Sequence, residues 1–187
     1  INTCCFIHDA KEESVNTILE MAEYKKTGTC KILIVTGCMA QRYKEEITEE
    51  IPEVDAVLGT TSYGDIVKAL NEAEAGHVFQ EFKDINALPE DSGRRVITTG
   101  GHFGYLKIAE GCDKHCTYCI IPSLRGKFRS VPEERLLKQA EYMASQGVRE
   151  LILVAQETTV YGTDLYGKKT LHILLKKLCQ IKGIRLI

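Results

Sequence analysis

The sequence predicts an α/β protein in two successive parts: an open, mostly parallel α/β domain over residues 1–85, then the first part of a parallel β/α barrel over residues 102–187. Three observations predict it. Short apolar runs at 31–35, 55–58 and 150–155 alternate with longer stretches whose apolar residues recur at helical spacing. From Gly104 onward the rhythm is strand, loop, helix, strand, loop, helix, strand, which is how such a barrel begins. Between Asn86 and Gly101 the composition shifts to Pro, Gly, Ser, Asp and Thr, with Arg94 and Arg95, so residues 86–101 read as a linker.

The first part opens on a helix. Asp9 with Glu12 three residues on is a carboxylate variant of the capping box, and Val15, Ile18, Leu19 and Ala22 then fall on one face. After Gly28, residues 31–35 read as a buried strand. Residues 37–42 form a loop opening a second helix, which Pro52 ends. A short strand at 55–58 and a third helix from Ser62 to about Ala75 follow, with a further strand within 77–82. Cys4 and Cys38 each come directly after a strand, where open parallel sheets place their ligands.

In the second part a strand at 104–109 leads into the loop Cys112-x3-Cys116-x2-Cys119. Ser130, Pro132 and Glu133 then open a helix with Leu136, Leu137, Ala140 and Met143 as its apolar stripe, closed by Gly147. A buried strand at 150–155 follows, then a loop rich in Thr, Tyr and Gly. Leu171, Leu174, Leu175 and Leu178 mark another helix, and Ile184 begins a third strand. The chain starts with Ile1 rather than Met and stops inside that strand, so the sequence is expected to be a piece of a longer protein.

Composition narrows the chemistry. Hydrophobic residues make up 44% and charged residues 27%, ordinary values for a soluble globular protein. The net charge of −2 supplies no general attraction to nucleic acid or anionic membranes. No apolar run approaches eighteen residues and no signal peptide is recognisable, so a cytoplasmic protein without a membrane partner is expected. Eight cysteines are more than a chain of this length needs. Without a secretion signal, metal ligation explains them better than disulfides.

Three thiolates on one short loop can hold three irons of a four-iron cluster and leave the fourth open to chelation by a cofactor's amino and carboxylate groups. A structural zinc site using His115, or three unrelated core cysteines, are the alternatives. Zinc sites usually pair two separated ligand hairpins, and no second pair follows this loop at such spacing.

Cys112-x3-Cys116-x2-Cys119, with the aromatic Tyr118 before its last cysteine, resembles the signature of radical S-adenosylmethionine (SAM) enzymes. The wider stretches 104–112 and 120–126 resemble the methylthiotransferases of that superfamily. The resemblance implies that residues 1–85 are the methylthiotransferase N-terminal domain and residues 102–187 the start of the radical SAM core. It implies a [4Fe–4S] cluster on Cys112, Cys116 and Cys119, reductive cleavage of SAM, and a 5′-deoxyadenosyl radical that abstracts hydrogen before a methylthio group is installed. Tyr118 would pack on the adenine, Ile120 with Ile121 and Pro122 would line the same pocket, and Gln156 and Glu157 would contact SAM from the end of the second barrel strand. The superfamily usually carries Gly-Gly-Glu there, where this chain has Ala155-Gln156-Glu157. Arg125, nearest the loop among Arg125, Lys127 and Arg129, would hold an anionic group. Cys4 and Cys38 resemble two of three ligands of an auxiliary [4Fe–4S] cluster, the third of which would precede Ile1. Cys5, Cys30 and Cys179 read as structural. An electron donor such as flavodoxin or ferredoxin is implied.

Within the family, residues 105–108, 121–127 and 153–167 resemble the branch that modifies an aspartate β-carbon in the twelfth protein of the small ribosomal subunit. The branch acting on tRNA adenosine is the alternative, and RNA phosphates would call for more clustered cations. A non-catalytic iron–sulfur-binding fragment is the alternative of another class.

Overall fold

The computed structural model describes residues 1–88 and 95–187, so residues 89–94 of the expected linker lie outside the described residues. The described residues form two compact units, one of residues 1–88 with 115–125 and the other of residues 95–114 with 126–187. The second half of the cysteine loop thus packs with the N-terminal residues.

The first unit is a four-stranded parallel sheet in sequential order. Its strands are β1 (Asn2–Thr3), β2 (Ile34–Gly37), β3 (Ala56–Leu58) and β4 (Phe79–Glu81). Helices α1 (His8–Thr27), α2 (Cys38–Glu50) and α3 (Ile66–Glu74) make the crossovers. Val35, Ala56, Val57 and Leu58 are fully buried, as central parallel strands covered on both faces must be. On α1 the buried face is Ser14, Ile18 and Ala22, whereas Leu19 is half exposed. The expected stripe is therefore rotated toward a polar residue, because Ser14 is bonded to Cys4. Asp9 lies inside the first turn and no side chain caps α1, so the expected capping box does not form. The expected strand at 31–35 is displaced to Ile34–Gly37, where the parallel ladder to β1 and β3 begins.

In the second unit β5 (Phe103–Lys107) pairs in parallel with β8 (Glu150–Val154), from Phe103 opposite Glu150 to Lys107 opposite Val154. Helix α5 (Glu133–Ser145) makes the crossover, burying Leu136, Ala140, Met143 and Ala144. Helix α7 (Leu171–Leu178) buries Leu174 and Leu178. The single expected strand 104–109 divides: after Lys107 the chain leaves the ladder, and β6 (Ala109–Glu110) pairs antiparallel with β7 (Arg129–Ser130). Two short helices, α4 (Ile121–Arg125) in the first unit and α6 (Thr163–Tyr166) in the second, have no counterpart in the periodicity, since each is shorter than two turns. The third barrel strand is present as one parallel bridge between Glu150 and Leu186.

Candidate metal and cofactor site

In the first unit, Thr3 pairs with Gly37 in the parallel register of β1 and β2. The next residue on each strand is a cysteine, so Cys4 and Cys38 leave adjacent strands at their carboxyl ends. Ser14 fixes Cys4: its hydroxyl oxygen accepts from Cys4 N at 3.0 Å and lies 2.9 Å from Cys4 O and 2.8 Å from Ala10 O. Cys38 begins α2 and is 1% exposed, and Cys5 is 3% exposed in the same core. Burial pushes the Cys5 thiol up, the neighbouring Cys38 adds to this, and Arg42 opposes it. Cys4, Cys5, Cys38 and Arg42 therefore form one electrostatic group.

Residues 115–125 complete this unit. Cys119 N donates to Cys116 O at 3.0 Å, closing a turn that leaves His115, Cys116 and Tyr118 exposed. Tyr118 is 90% exposed, which rules out a core role for its ring. Ile120 packs against the core that contains Cys38, and Leu124 is buried within it. The Thr60 hydroxyl donates to Leu124 O at 3.1 Å. Burial pushes the Tyr63 phenol up, while the Arg125 guanidinium hydrogen-bonded to it acts in the opposite sense and Cys38 reinforces burial. Arg125 thus stands with Tyr63 on the Cys38 side of the unit, a placement that its position next to the cysteine loop in sequence did not foretell.

In the second unit β6 runs through Gly111 into Cys112. Gly111 has φ +74°, and a side chain there would collide with the carbonyl oxygens of Gly126 and Lys127. That close approach lets Cys112 N donate to Gly126 O at 3.1 Å. Asp113 Oδ1 accepts from Phe128 N at 2.9 Å. Glu157 is engaged through both oxygens: Oε2 pairs with Lys114 Nζ, and Oε1 accepts from Thr159 N at 3.0 Å and from the Thr159 hydroxyl at 2.5 Å. The hydrogen bond from Lys114, with those from Thr159, pulls the Glu157 carboxyl down to about 2. Cys112, Lys114, Glu157 and Thr163 are among the walls of a cavity of about 200 Å³. Gln156 Nε2 lies 3.5 Å from Glu110 Oε2, while its buried amide oxygen has no protein partner. An acceptor so placed suits a ligand bringing a hydrogen-bond donor. Ser14, Thr60, Tyr63, Lys114 and Glu110 were not singled out in the sequence. Only Ser14 carried a signal, as a small polar residue on an apolar helix face.

None of the eight cysteines is joined in a disulfide. Among the described residues no three His, Cys, Asp or Glu side chains already stand together as a metal-holding group. The donor chemistry nevertheless suits an iron–sulfur cluster, which takes thiolates from short cysteine runs, and spacings of four and three residues keep the three loop thiols within a short length of chain. No helix among the described residues is long and apolar enough to cross a membrane.

Two family models match. The uncharacterized protein family UPF0004 covers residues 1–59, and the radical SAM superfamily covers residues 106–187. The chain is similar over its whole length to the ribosomal protein uS12 methylthiotransferase RimO of Lachnoclostridium phytofermentans, 65% identical over 187 residues. It is 52% identical over 189 residues to the enzyme of that name from Clostridium botulinum strain Eklund 17B, and 51% identical over 187 residues to that of Clostridioides difficile strain 630. It spans 42% of the length of each. With a parallel α/β unit matched by one family model ahead of a three-cysteine loop matched by the other, the chain is similar along its own length to ribosomal protein uS12 methylthiotransferases, of which it spans 42%.

Proposed function

We propose that the protein containing this chain transfers a methylthio group to the β-carbon of an aspartate in ribosomal protein uS12. The observation that carries this reading is the loop Cys112-x3-Cys116-x2-Cys119, set within a chain 65% identical to a relative named as a ribosomal protein uS12 methylthiotransferase. Cys112, Cys116 and Cys119 would hold a [4Fe–4S] cluster, which when bound supplies the electron that cleaves SAM. Gln156 would accept a hydrogen bond from the amino group of SAM through its unpartnered amide oxygen, and Tyr118 would lay its exposed ring against the adenine. Glu157 would shape the neighbouring cavity, since Lys114 and Thr159 already occupy its oxygens. Ile120 would support the loop from below through its packing on the core.

Residues 1–85 would form the domain for an auxiliary [4Fe–4S] cluster, with Cys4 and Cys38 as two of its ligands and Arg125 as a nearby positive charge. Residues 86–101 would link it to the radical SAM core that begins at residue 102. An electron donor such as flavodoxin or ferredoxin, and a cytoplasmic location, go with this reading.

The test uses the complete enzyme with SAM, reductant, and either uS12 or hypomodified tRNA, read by mass spectrometry for the added methylthio mass. Product on uS12, lost when Cys112, Cys116 and Cys119 are all replaced by alanine, is the expected result. Product on tRNA alone overturns the substrate, and iron content unchanged in the triple variant overturns the ligand assignment.

A further inference from the structure

We infer that Thr60 is a positioning residue for the loop that carries Cys116 and Cys119, acting from the loop after β3. Helix α4 follows Cys119 after one residue, and its terminal carbonyls need partners that a short helix cannot provide for itself. Thr60 supplies one: its side chain is buried, and its hydroxyl donates to Leu124 O at 3.1 Å. Thr60 is itself held, because its backbone N–H donates to Gln41 Oε1 at 3.1 Å. Gln41 lies on α2 three residues after Cys38, close to one turn of helix.

From Leu124 the connection continues toward the thiols. Ser123 N and its hydroxyl both donate to Ile120 O, at 3.1 and 2.8 Å. Ile120 packs on the core shared by Cys38 and Leu124, and Cys119 N closes the turn to Cys116 O. A hydrogen-bonded path thus runs from the helix that starts at Cys38, through Gln41 and Thr60, to the loop ending in Cys119. Burial of Leu124 pulls α4 inward, and the hydroxyl sets where along that surface it stops. Hydrophobic contact is not directional and would tolerate a slid helix, whereas a buried carbonyl leaves one acceptable position.

The consequence is that Thr60 and Gln41, on a loop and a helix of the N-terminal residues and outside the three-cysteine loop, decide the presentation of two of its thiols. That these thiols ligate iron rests on the function proposed above, but the positioning itself can be tested without metal. The reduced, metal-free chain is pulsed anaerobically with iodoacetamide, and alkylation of each cysteine is followed by peptide mass spectrometry. In Thr60→Val the half-buried Cys119 should react at least threefold faster, while Cys5 and Cys38 stay protected and Cys112, in the other unit, keeps its rate. Thr60→Ser, which retains the hydroxyl, should restore the parental rate at Cys119. Gln41→Met, which removes the acceptor that holds Thr60, should raise the Cys119 rate in the same direction and keeps the test decisive if Thr60→Val does not fold. A Cys119 rate at the parental value in the folded variants overturns the inference. So does a parallel rise at Cys5 and Cys38, which would show general loosening of the core. A parental chain that reconstitutes without iron would instead defeat the cluster assignment and leave the positioning result standing.

Discussion

Gly37 faces Thr3 across the parallel β1–β2 pair with φ +102°, and an added Cβ there would lie 2.8 Å from Thr3 N and press on Thr3 O. Left-handed backbone strain costs about 1–3 kcal/mol at a residue with a side chain, and the collision adds to it. Gly37→Ala should therefore lower stability by at least that range and part β1 from β2. Urea unfolding measures the loss. A selective rise in the alkylation rate of Cys4, which directly follows β1, reports the parting of the strands.

Gly111 has the same role before Cys112. Gly111→Ala would push the loop away from Gly126 and Lys127 and break the hydrogen bond from Cys112 N to Gly126 O. Iron per chain after anaerobic reconstitution should fall well below the parental value while the circular dichroism of the chain is kept. Parental iron loading in this variant would show that the turn can relax without moving Cys112.

Tyr161 is fully buried and its phenol donates to Val131 O at 2.9 Å, while burial pushes its ionisation up. Beside it Ser130 Oγ accepts from Gly162 N at 2.9 Å and Asp164 Oδ2 accepts from Ser130 N at 2.8 Å. Tyr161→Phe leaves Val131 O unsatisfied in the interior, a cost of about 1–3 kcal/mol. Equilibrium unfolding should show a loss of that size with little change in the denaturant slope.

Glu157 gives a pH dependence. Its folded carboxyl titrates at about 2, below the ordinary 4.5, because Lys114 and Thr159 bind the charged form. A depressed pKa means that the contribution is fully present above about pH 4.5 and is lost as pH falls from there through about 2. Carboxyl carbon shifts in selectively labelled protein should show a Glu157 midpoint near 2, and Lys114→Met should raise it. An unchanged midpoint in that variant would mean that Thr159 alone sets the shift.

Much of the fold was legible in the sequence because its signals are local. Apolar runs bounded by Gly and Pro located β3 and β8 to within a residue or two, and helical periodicity found α1, α5 and α7. Where prediction and structure differ, a nonlocal bond decides. Ser14 rotates the buried face of α1 because it binds Cys4, and β2 starts late because its ladder partners do. Helices α4 and α6 are too short for a periodic signal, and β6 pairs with a strand nineteen residues on (Glu110 with Arg129), which no window reveals.

For the candidate site, the sequence alone supplied the candidate donors: three thiols at spacings of four and three, and a cysteine after each of two early strands. Covalent spacing suffices for that, because ligands a few residues apart on one loop stay within a short stretch of chain wherever it goes. Only the tertiary structure decided what holds the donors and what their neighbours are. It brought Cys4 beside Cys38 by strand register, set Arg125 against Tyr63, gave Glu157 to Lys114 and left the Gln156 amide oxygen without a partner. These pairings join residues tens of positions apart. They form only when burial of Leu124, Val35 and Leu151 has closed the chain on itself, so their energy depends on the whole packed core.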